Sequence, residues 1–301
     1  MKVVFETPIL FLIFNRPETT QQVFNEIKKQ RPRFLYVAAD GPRLEKEGEA
    51  EKCKLTRDII RQIDWDCQLV TLFREVNLGC GRAVSEAITW FFDNVEMGII
   101  LEDDCLPSES FFIFMDKMLK KYQNDTRVMQ INGSSFIKND ETTDSYYFSK
   151  YNHIWGWATW RRAWSRYEIT NPNFVKDFKR FRNFNSNSER RYWFSIFKNY
   201  YNGGIDTWDY PWTFTVWKHD GLAIYPFYNL VKNIGFGPQA THTTQIDNKL
   251  ANLELDELSV IFDPKRVMIN HKLDLINFNT VFRPPSFSQK IINKLRRILS
   301  R

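Results

Sequence analysis

Three acids in a row, Glu102, Asp103 and Asp104, end the apolar run Ile99-Ile100-Leu101, and Pro107 follows closely. Adjacent carboxylates repel one another, so a cluster at the end of a buried strand calls for something to offset its charge. Hard carboxylate oxygens suit Mg²⁺ or Mn²⁺, which take one or two carboxylates and complete their shells with phosphate oxygens. A plainer reading makes Ser108 the N-cap of a helix over "SESFFIFMDKMLKKY", with acids favoured near its N-terminus. That reading accounts for Asp104 or Ser108 but not for a buried strand running straight into three carboxylates. A second candidate is "DTWDYPW", residues 206–212, which carries Asp206 and Asp209. Asp209 stands between Trp208 and Tyr210, with Trp212 close by. A partly dry aromatic setting raises a carboxylate's proton affinity and suits it to act as a base. The alternative is an Asp that N-caps a helix over "YPWTFTVWKH".

The elements that position these residues are legible as alternating strands and helices. "PILFLIF" (8–14), "FLYVAAD" (34–40), "CQLVTLFRE" (67–75) and "GIILED" (98–103) read as strands. Between them "PETTQQVFNEIKKQ" (17–30), "EAEKCKLTRDIIRQI" (49–63) and "GRAVSEAITWFFDNV" (81–95) read as helices, the first opened by Pro17. That alternation predicts an α/β fold with a mostly parallel sheet flanked by helices. Ligands of open α/β sheets bind beyond the carboxyl ends of the strands. Those ends carry Asn15-Arg16, Asp40-Gly41, Asn77-Leu78-Gly79 and Glu102-Asp103-Asp104, all suited to one polar ligand. After about residue 135 the chain turns Trp-rich, in "YNHIWGWATWRRAW" (151–164) and "GGIDTWDYPWTFTVW" (203–217). "RRYWFSIFKNYYNGG" (190–204) reads as a helix closed by a glycine pair. A single domain with two halves is expected, 1–135 and 136–260, followed by a tail over 261–301.

A strand ending in Glu-Asp-Asp, after three βα units with polar strand ends, resembles the D-x-D metal site of GT-A-fold glycosyltransferases. With "PSESFFIFM" behind it, it is similar to the N-acetylglucosaminyltransferase I family and related bacterial sugar transferases, over roughly residues 7–245. The resemblance implies a GT-A-type, Rossmann-like mixed sheet and a metal-dependent inverting transfer from a UDP-sugar, UDP-N-acetylglucosamine among the candidates. It implies Asp104 as ligand of Mn²⁺ or Mg²⁺ bridging the donor's phosphates, and Glu102 and Asp103 on sugar and ribose hydroxyls. Asn15 and Arg16 would hold nucleotide or phosphate, and Asp40 would accept from the uracil ring. "NLGCGRA" (77–83) resembles the superfamily's Asn/Gly-rich loop, with Arg82 near the pyrophosphate or, equally, an exposed arginine at a helix start. "TWDYPW" resembles the family's Trp-Asp-Asp-Trp stretch, with Tyr210 as a departure, and makes Asp209 the base. Trp157, in Trp155-Gly156-Trp157, could lay its indole against a sugar, while Gly156 permits close backbone approach to a ligand. His242, in "GFGPQATHTT" (235–244), would complete the metal shell or serve as a hydrogen-bonded structural residue.

Composition bounds the alternatives. A net charge of +6 suits anionic ligands or an anionic surface, yet no basic run or nucleic-acid motif occurs in the globular part, so nucleic acid is not an expected partner. The cysteines, Cys53, Cys67, Cys80 and Cys105, show no C-x-x-C spacing and read as free thiols of a cytoplasmic protein. Glu6 and Pro8 interrupt the apolar start, and "NRPETT" follows where a signal-peptide cleavage site would fall. "FSQKIINKLRRILSR" (287–301) gathers Phe287, Ile291, Leu295, Ile298 and Leu299 on one side and Lys290, Lys294, Arg297 and Arg301 on the other. Such a helix fits the anionic inner face of a membrane, where a glycan or lipid-linked acceptor would be met, or docks on its own domain. Two other classes stay open. A catalytically inactive glycan-binding or membrane-associated scaffold would be expected to have lost its acids. A sugar nucleotidyltransferase would carry a glycine-rich, Arg/Lys-bearing loop directly after the first strand, where this chain has "FNRPETT".

Overall fold

The computed structural model describes residues 4–137, 142–236 and 253–282. Ten strands and nine α-helices occur among them: β1 (Ile9–Ile13), α1 (Pro17–Gln30), β2 (Phe34–Ala39), α2 (Glu49–Asp58), β3 (Gln68–Phe73), α3 (Cys80–Asn94), β4 (Met97–Glu102), β5 (Cys105–Pro107) and α4 (Glu109–Lys121) form the first part. There follow β6 (Val128–Asn132), β7 (Tyr146–Ser149), β8 (Trp157–Trp160), α5 (Arg161–Trp164), α6 (Phe174–Phe178), α7 (Asn187–Tyr201), α8 (Asp209–Lys218), β9 (Leu222–Pro226), β10 (Val231–Asn233) and α9 (His271–Asn277).

Eight strands form one mixed, mostly parallel sheet in the order β3-β2-β1-β4-β8-β6-β9-β7. β1, β2, β3 and β4 run parallel, and β6 pairs parallel with β9, while β8 and β7 are the antiparallel members. This is the Rossmann-like α/β fold expected from the alternation of strands and helices. The Trp-rich half adds β7, β8 and β9 to the same sheet, so one sheet runs through both halves. β5 and β10 make a separate two-stranded antiparallel ribbon in which Val231 faces Pro107 and Asn233 faces Cys105.

Period-two alternation decides which layer each strand residue serves. Ile9, Phe11 and Ile13 of β1 join Val23, Phe24 and Ile27 of α1 and Phe111, Met115 and Met118 of α4 in one core. Leu10 and Leu12 face the other way, onto Ile88 and Phe91 of α3, Trp193 and Phe197 of α7, and Trp212 of α8. α1 and α3 therefore cover opposite faces. The chain builds outward from β1 to β2 and β3, then returns to lay β4 on β1's other side. The reversal between β1 and β4 is the topological switch point, where the strand ends diverge and leave a crevice. Glu102-Asp103-Asp104 and Phe14-Asn15-Arg16 are the two lips of that crevice.

Local details depart from the sequence expectations in instructive ways. The second helix stops at Asp58 and continues as a tight 3₁₀ turn over Ile59–Gln62. Ser108 is the N-cap of α4, but its hydroxyl makes no capping bond and has no partner among the described residues. Asp209 is the first residue of α8, and Trp208 holds the N-cap position. No helix among the described residues is long and apolar enough to cross a membrane. The basic segment 287–301 lies outside the described residues.

Candidate functional site

The acidic cluster forms where β4 ends, and its three side chains fan apart. Asp103 accepts the Phe14 backbone N–H at 3.2 Å, which ties the end of β4 to the end of β1. Asp104 accepts from Arg16, whose Nη1 lies 2.6 Å from its Oδ2 and 3.7 Å from Asp103 Oδ1. Leu12 of β1 pairs with Glu102, which projects to the α3 side of the sheet. Glu102 Oε1 is buried with no hydrogen-bond partner among the described residues. Among the described residues, the cation that pairs with the cluster is thus Arg16.

Electrostatics follow from that placement. Burial, then the neighbouring charge of Asp104, pushes the Asp103 carboxyl up to about 7, against the pull of Arg16 and the Phe14 N–H. Glu102 is raised well above the usual carboxylate range by burial first, then by Asp104, Asp103 and Asp209. Burial works against the Arg16 charge, but Asp103 and Asp104 outweigh it and hold the guanidinium above its ordinary value. The Glu102 shift also places Asp209 within electrostatic reach of the cluster. Cys80, at the start of α3, is pushed up to about 12 by burial and then by Glu102, Asp206, Asp209 and Asp40. Four carboxylates therefore converge around the N-terminus of α3, beside the crevice.

Two of them are anchored by backbone. Asp40 accepts the N–H groups of Gly41, Leu78 and Gly79 at 2.9–3.2 Å. Those bonds clamp the loop before α3 to the end of β2. Asp206 accepts the Gly81 N–H at 3.0 Å. A Cβ on Gly79 or Gly81 would stand 2.6 or 2.5 Å from an Asp206 carboxylate oxygen, so both glycines are there to admit Asp206. In the loop "NLGCGRA" the Leu78, Gly79 and Gly81 amides thus donate to this chain's own carboxylates. Arg82 points away, bonded to Glu86 at 2.6 Å with its side chain 66% exposed. The exposed-arginine alternative describes it.

Asp209 begins α8 and accepts from the Thr207 hydroxyl. Its neighbour Trp208 stacks on Trp157 with ring centroids 5.5 Å apart, and Trp164 and Trp212 complete the group. Trp157 is fully buried, so it cannot offer a face to a sugar; it is core. A buried indole of this size is worth about 5 kcal/mol of apolar transfer at most, reason enough for its presence. Gly156, at φ +58°, is equally structural: its carbonyl accepts the Gly133 N–H at 2.8 Å, and a Cβ there would meet Val231 Cγ2 at 2.7 Å.

Sequence reasoning passed over Gly235, Arg43 and Glu49. Ile234 N–H donates to the Asp104 carbonyl at 2.8 Å, and Gly235 lies directly against the Asp104 carboxylate. Glu49 accepts from Asn15 and Arg43. "DGPR" signalled only a turn, and nothing local announces these partners. His242 lies outside the described residues.

Among the described residues, no group of three or more His, Cys, Asp or Glu surrounds a common point fit for a metal ion. What the chain does offer is hard oxygen: the Asp104 carboxylate at the crevice and the orphaned Glu102 Oε1. That donor set fits a divalent ion only as a partial shell, of the kind completed by a ligand's phosphates.

No family model and no curated protein matches the sequence. Solved structures with partial likeness include HddC from Yersinia pseudotuberculosis, at 9% identity and a TM-score of 0.30 over 42% of this chain and 58% of that one. The chain thus spans under two thirds of that protein's length. A 4-diphosphocytidyl-2C-methyl-D-erythritol synthase from Anaerococcus prevotii aligns at 9% identity and a TM-score of 0.31, over 64% and 84% of the two chains. A UDP-glucose pyrophosphorylase complexed with UDP-glucose aligns at 11% identity and 0.35, over 75% and 93%. None of these is an N-acetylglucosaminyltransferase, and likeness at this level carries no argument about activity.

Proposed function

We propose that this chain is a transferase acting on nucleotide-linked sugars, and that its reaction is inverting glycosyl transfer from a UDP-sugar to a hydroxyl of a glycan or lipid-linked sugar. The observation that carries the reading is the pairing of Arg16 with Asp103 and Asp104 across the switch-point crevice, with Asp209 on the Glu102 side. A diphosphate needs positive charge, a leaving group needs it more as its bond breaks, and an attacking hydroxyl needs a base.

In this reading Arg16 faces the donor diphosphate and Asn15 the nucleotide. Asp104 would hold Mn²⁺ or Mg²⁺, which when bound neutralises charge on the departing diphosphate. Asp209 takes the proton of the acceptor hydroxyl. The acceptor oxygen then forms its bond to the anomeric carbon from the side opposite the diphosphate, and the bonding pair of the old C–O bond leaves with UDP. Glu102, whose burial favours its protonated form, can donate to a sugar hydroxyl. The segment 287–301 would carry the enzyme to an anionic membrane surface where lipid-linked acceptors lie.

Nucleotidyl transfer is the second reading within the same substrate class. Only Phe14, Asn15 and Arg16 separate β1 from α1, without a glycine, which supports glycosyl transfer over it. Calorimetry of UDP, GDP, CMP and ADP, each with Mn²⁺ and with chelator, is the first test. Metal-dependent UDP binding followed by UDP release from a UDP-sugar and an acceptor supports the main reading. Pyrophosphate release from a nucleoside triphosphate and a sugar phosphate would replace it with the second. No nucleotide binding by the folded protein would turn the reading to a glycan-binding scaffold.

A further inference from the structure

Three consecutive residues after β1 are pinned to three different acids. The Phe14 amide is on Asp103, the Arg16 guanidinium is on Asp104, and Asn15 Nδ2, between them, donates to Glu49 Oε1 at 2.8 Å. Glu49 opens α2 and is buried, 5% exposed. Besides Asn15 it accepts the Arg43 backbone N–H at 2.7 Å and Arg43 Nε at 2.9 Å, with a further bond from Arg43 Nη2. Arg43 in turn lies over the Phe14 ring, 5.7 Å from its centroid. One carboxylate therefore closes a ring of contacts through Phe14, Asn15 and Arg43, joining the loop after β1 to the loop after β2.

Those loops are the adjoining strand ends that border the crevice. Arg16 Nη1 meets Asp104 at 2.6 Å only while the segment 14–16 keeps its course, and Asn15 is its central fixed point. Arg43, with 38% of its side chain exposed, keeps a face toward solvent while Glu49 fixes its orientation. We propose that Glu49 is a positioning residue of the nucleoside-diphosphate site: it sets Asn15 toward the nucleotide and Arg16 toward the diphosphate, and presents Arg43, stacked on Phe14, as a second cationic wall for the nucleotide. The inference rests on the nucleotide-sugar reading above. It names a function for a residue that is neither in the acidic cluster nor at the base.

Groups that orient a binding residue without touching ligand typically carry a ten- to hundredfold share of affinity. The test uses the full chain, with UDP and Mn²⁺ calorimetry and donor kinetics on the wild type, Glu49→Gln and Glu49→Ala. The expected result is a donor KM and a UDP Kd raised roughly ten- to hundredfold in Glu49→Ala, with kcat changed by less than about threefold. Glu49→Gln keeps an acceptor oxygen for Asn15 but loses the charged fork for Arg43, so its KM is expected between the two. A merely structural role would lower the folded fraction and leave the KM of the remaining enzyme unchanged. KM and Kd equal to wild type in both variants, or a loss confined to kcat, would overturn the role of Glu49. If Glu49→Ala does not fold, the graded KM of Glu49→Gln decides alone. A wild type that binds no nucleotide would instead overturn the functional reading on which this one rests.

Discussion

Gly235→Ala is the sharpest perturbation the crevice offers, because it adds one methyl group against one functional oxygen. An ideal Cβ at Gly235 would stand 2.1 Å from Asp104 Oδ2, 2.7 Å from its Cγ and 2.8 Å from its Cβ. Ordinary van der Waals contact begins near 3.4 Å, so the carboxylate or the loop must retreat by about 1.3 Å. Oδ2 is the oxygen that accepts from Arg16 at 2.6 Å, and a displacement of that size breaks the bond. A misplacement of about 1 Å in a reacting array can cost ~10²-fold in rate, or about 2.7 kcal/mol of transition-state stabilisation. Folding is expected to lose about 1–3 kcal/mol to the same overlap. Gly235 needs no left-handed conformation, so an alanine there is worth within about 1 kcal/mol either way through the unfolded chain. The assay is a pair: metal-dependent UDP affinity with transfer rate, beside thermal unfolding. A variant that still unfolds cooperatively, at a melting temperature lowered by no more than that cost, with a hundredfold loss of activity supports the placement of Asp104. Full activity and full affinity in a folded Gly235→Ala would refute it, since no group in use could tolerate a methyl at that distance.

Other consequences can be checked alongside. Asp104→Asn should lower the transfer rate ~10³-fold, about 4 kcal/mol, and abolish the chelator sensitivity of UDP binding measured by calorimetry. Asp209→Asn should lower turnover by ~10²-fold or more while leaving the UDP Kd within about twofold, and equal turnover would remove Asp209 as base. Hydrogen bonds from Arg43, against the opposing effect of burial, hold the Glu49 carboxyl at about 2, below its usual 4.5. Because the folded chain binds this proton less tightly than the unfolded chain, the stability from Glu49 is full above pH 4.5 and fades as pH falls toward 2. It is worth at most about 3 kcal/mol, and less as solvent screens the part-exposed Arg43. Acid unfolding of Glu49→Gln should lack that part of the slope, and superimposable acid curves would contradict it. Burial first raises the thiols of Cys53 to about 11 and Cys80 to about 12, and that of Cys105 well above its usual value. A disulfide reagent at pH 8 should therefore label the native protein slowly at all three, and rapidly only in denaturant.

The elements were legible because their signals are local. Pro17 at a helix start and the spacing of Val23, Phe24 and Ile27 define α1 over Pro17–Gln30 as the sequence suggests, and the β-branched run ending in acids gives β4. The parallel sheet follows from the alternation of strands and helices, and with it the placing of Asn15, Arg16 and the three acids at its carboxyl ends. Partner choice was not legible. Asp206 meets Gly81 across 125 positions, and Asn15 meets Glu49 across 34. Glycines 79 and 81 looked like a phosphate loop because the same small-residue pattern serves any carboxylate or phosphate that must approach backbone amides. Trp157 looked like a sugar platform because a tryptophan's exposure depends on β8 lying inside the sheet, and four residues of strand do not announce that.

The aromatic richness of the second half gains its meaning from that same strand. Trp157 of β8 pairs with Ile100 of β4, two residues before Glu102, so the Trp stack and the acidic cluster are built on adjoining strands of one sheet. The stack of Trp157 on Trp208 then delivers the chain to Asp209, the next residue, at the first position of α8. A base brought in on a loop alone would wander by more than the tolerance of proton transfer. Here the proposed base is held by interlocked indoles whose burial is itself worth several kcal/mol each. The tryptophans therefore contribute to the proposed chemistry without touching a ligand. They make the distance between Asp209 and Glu102 a property of the core, and the core is the part of the molecule least able to yield.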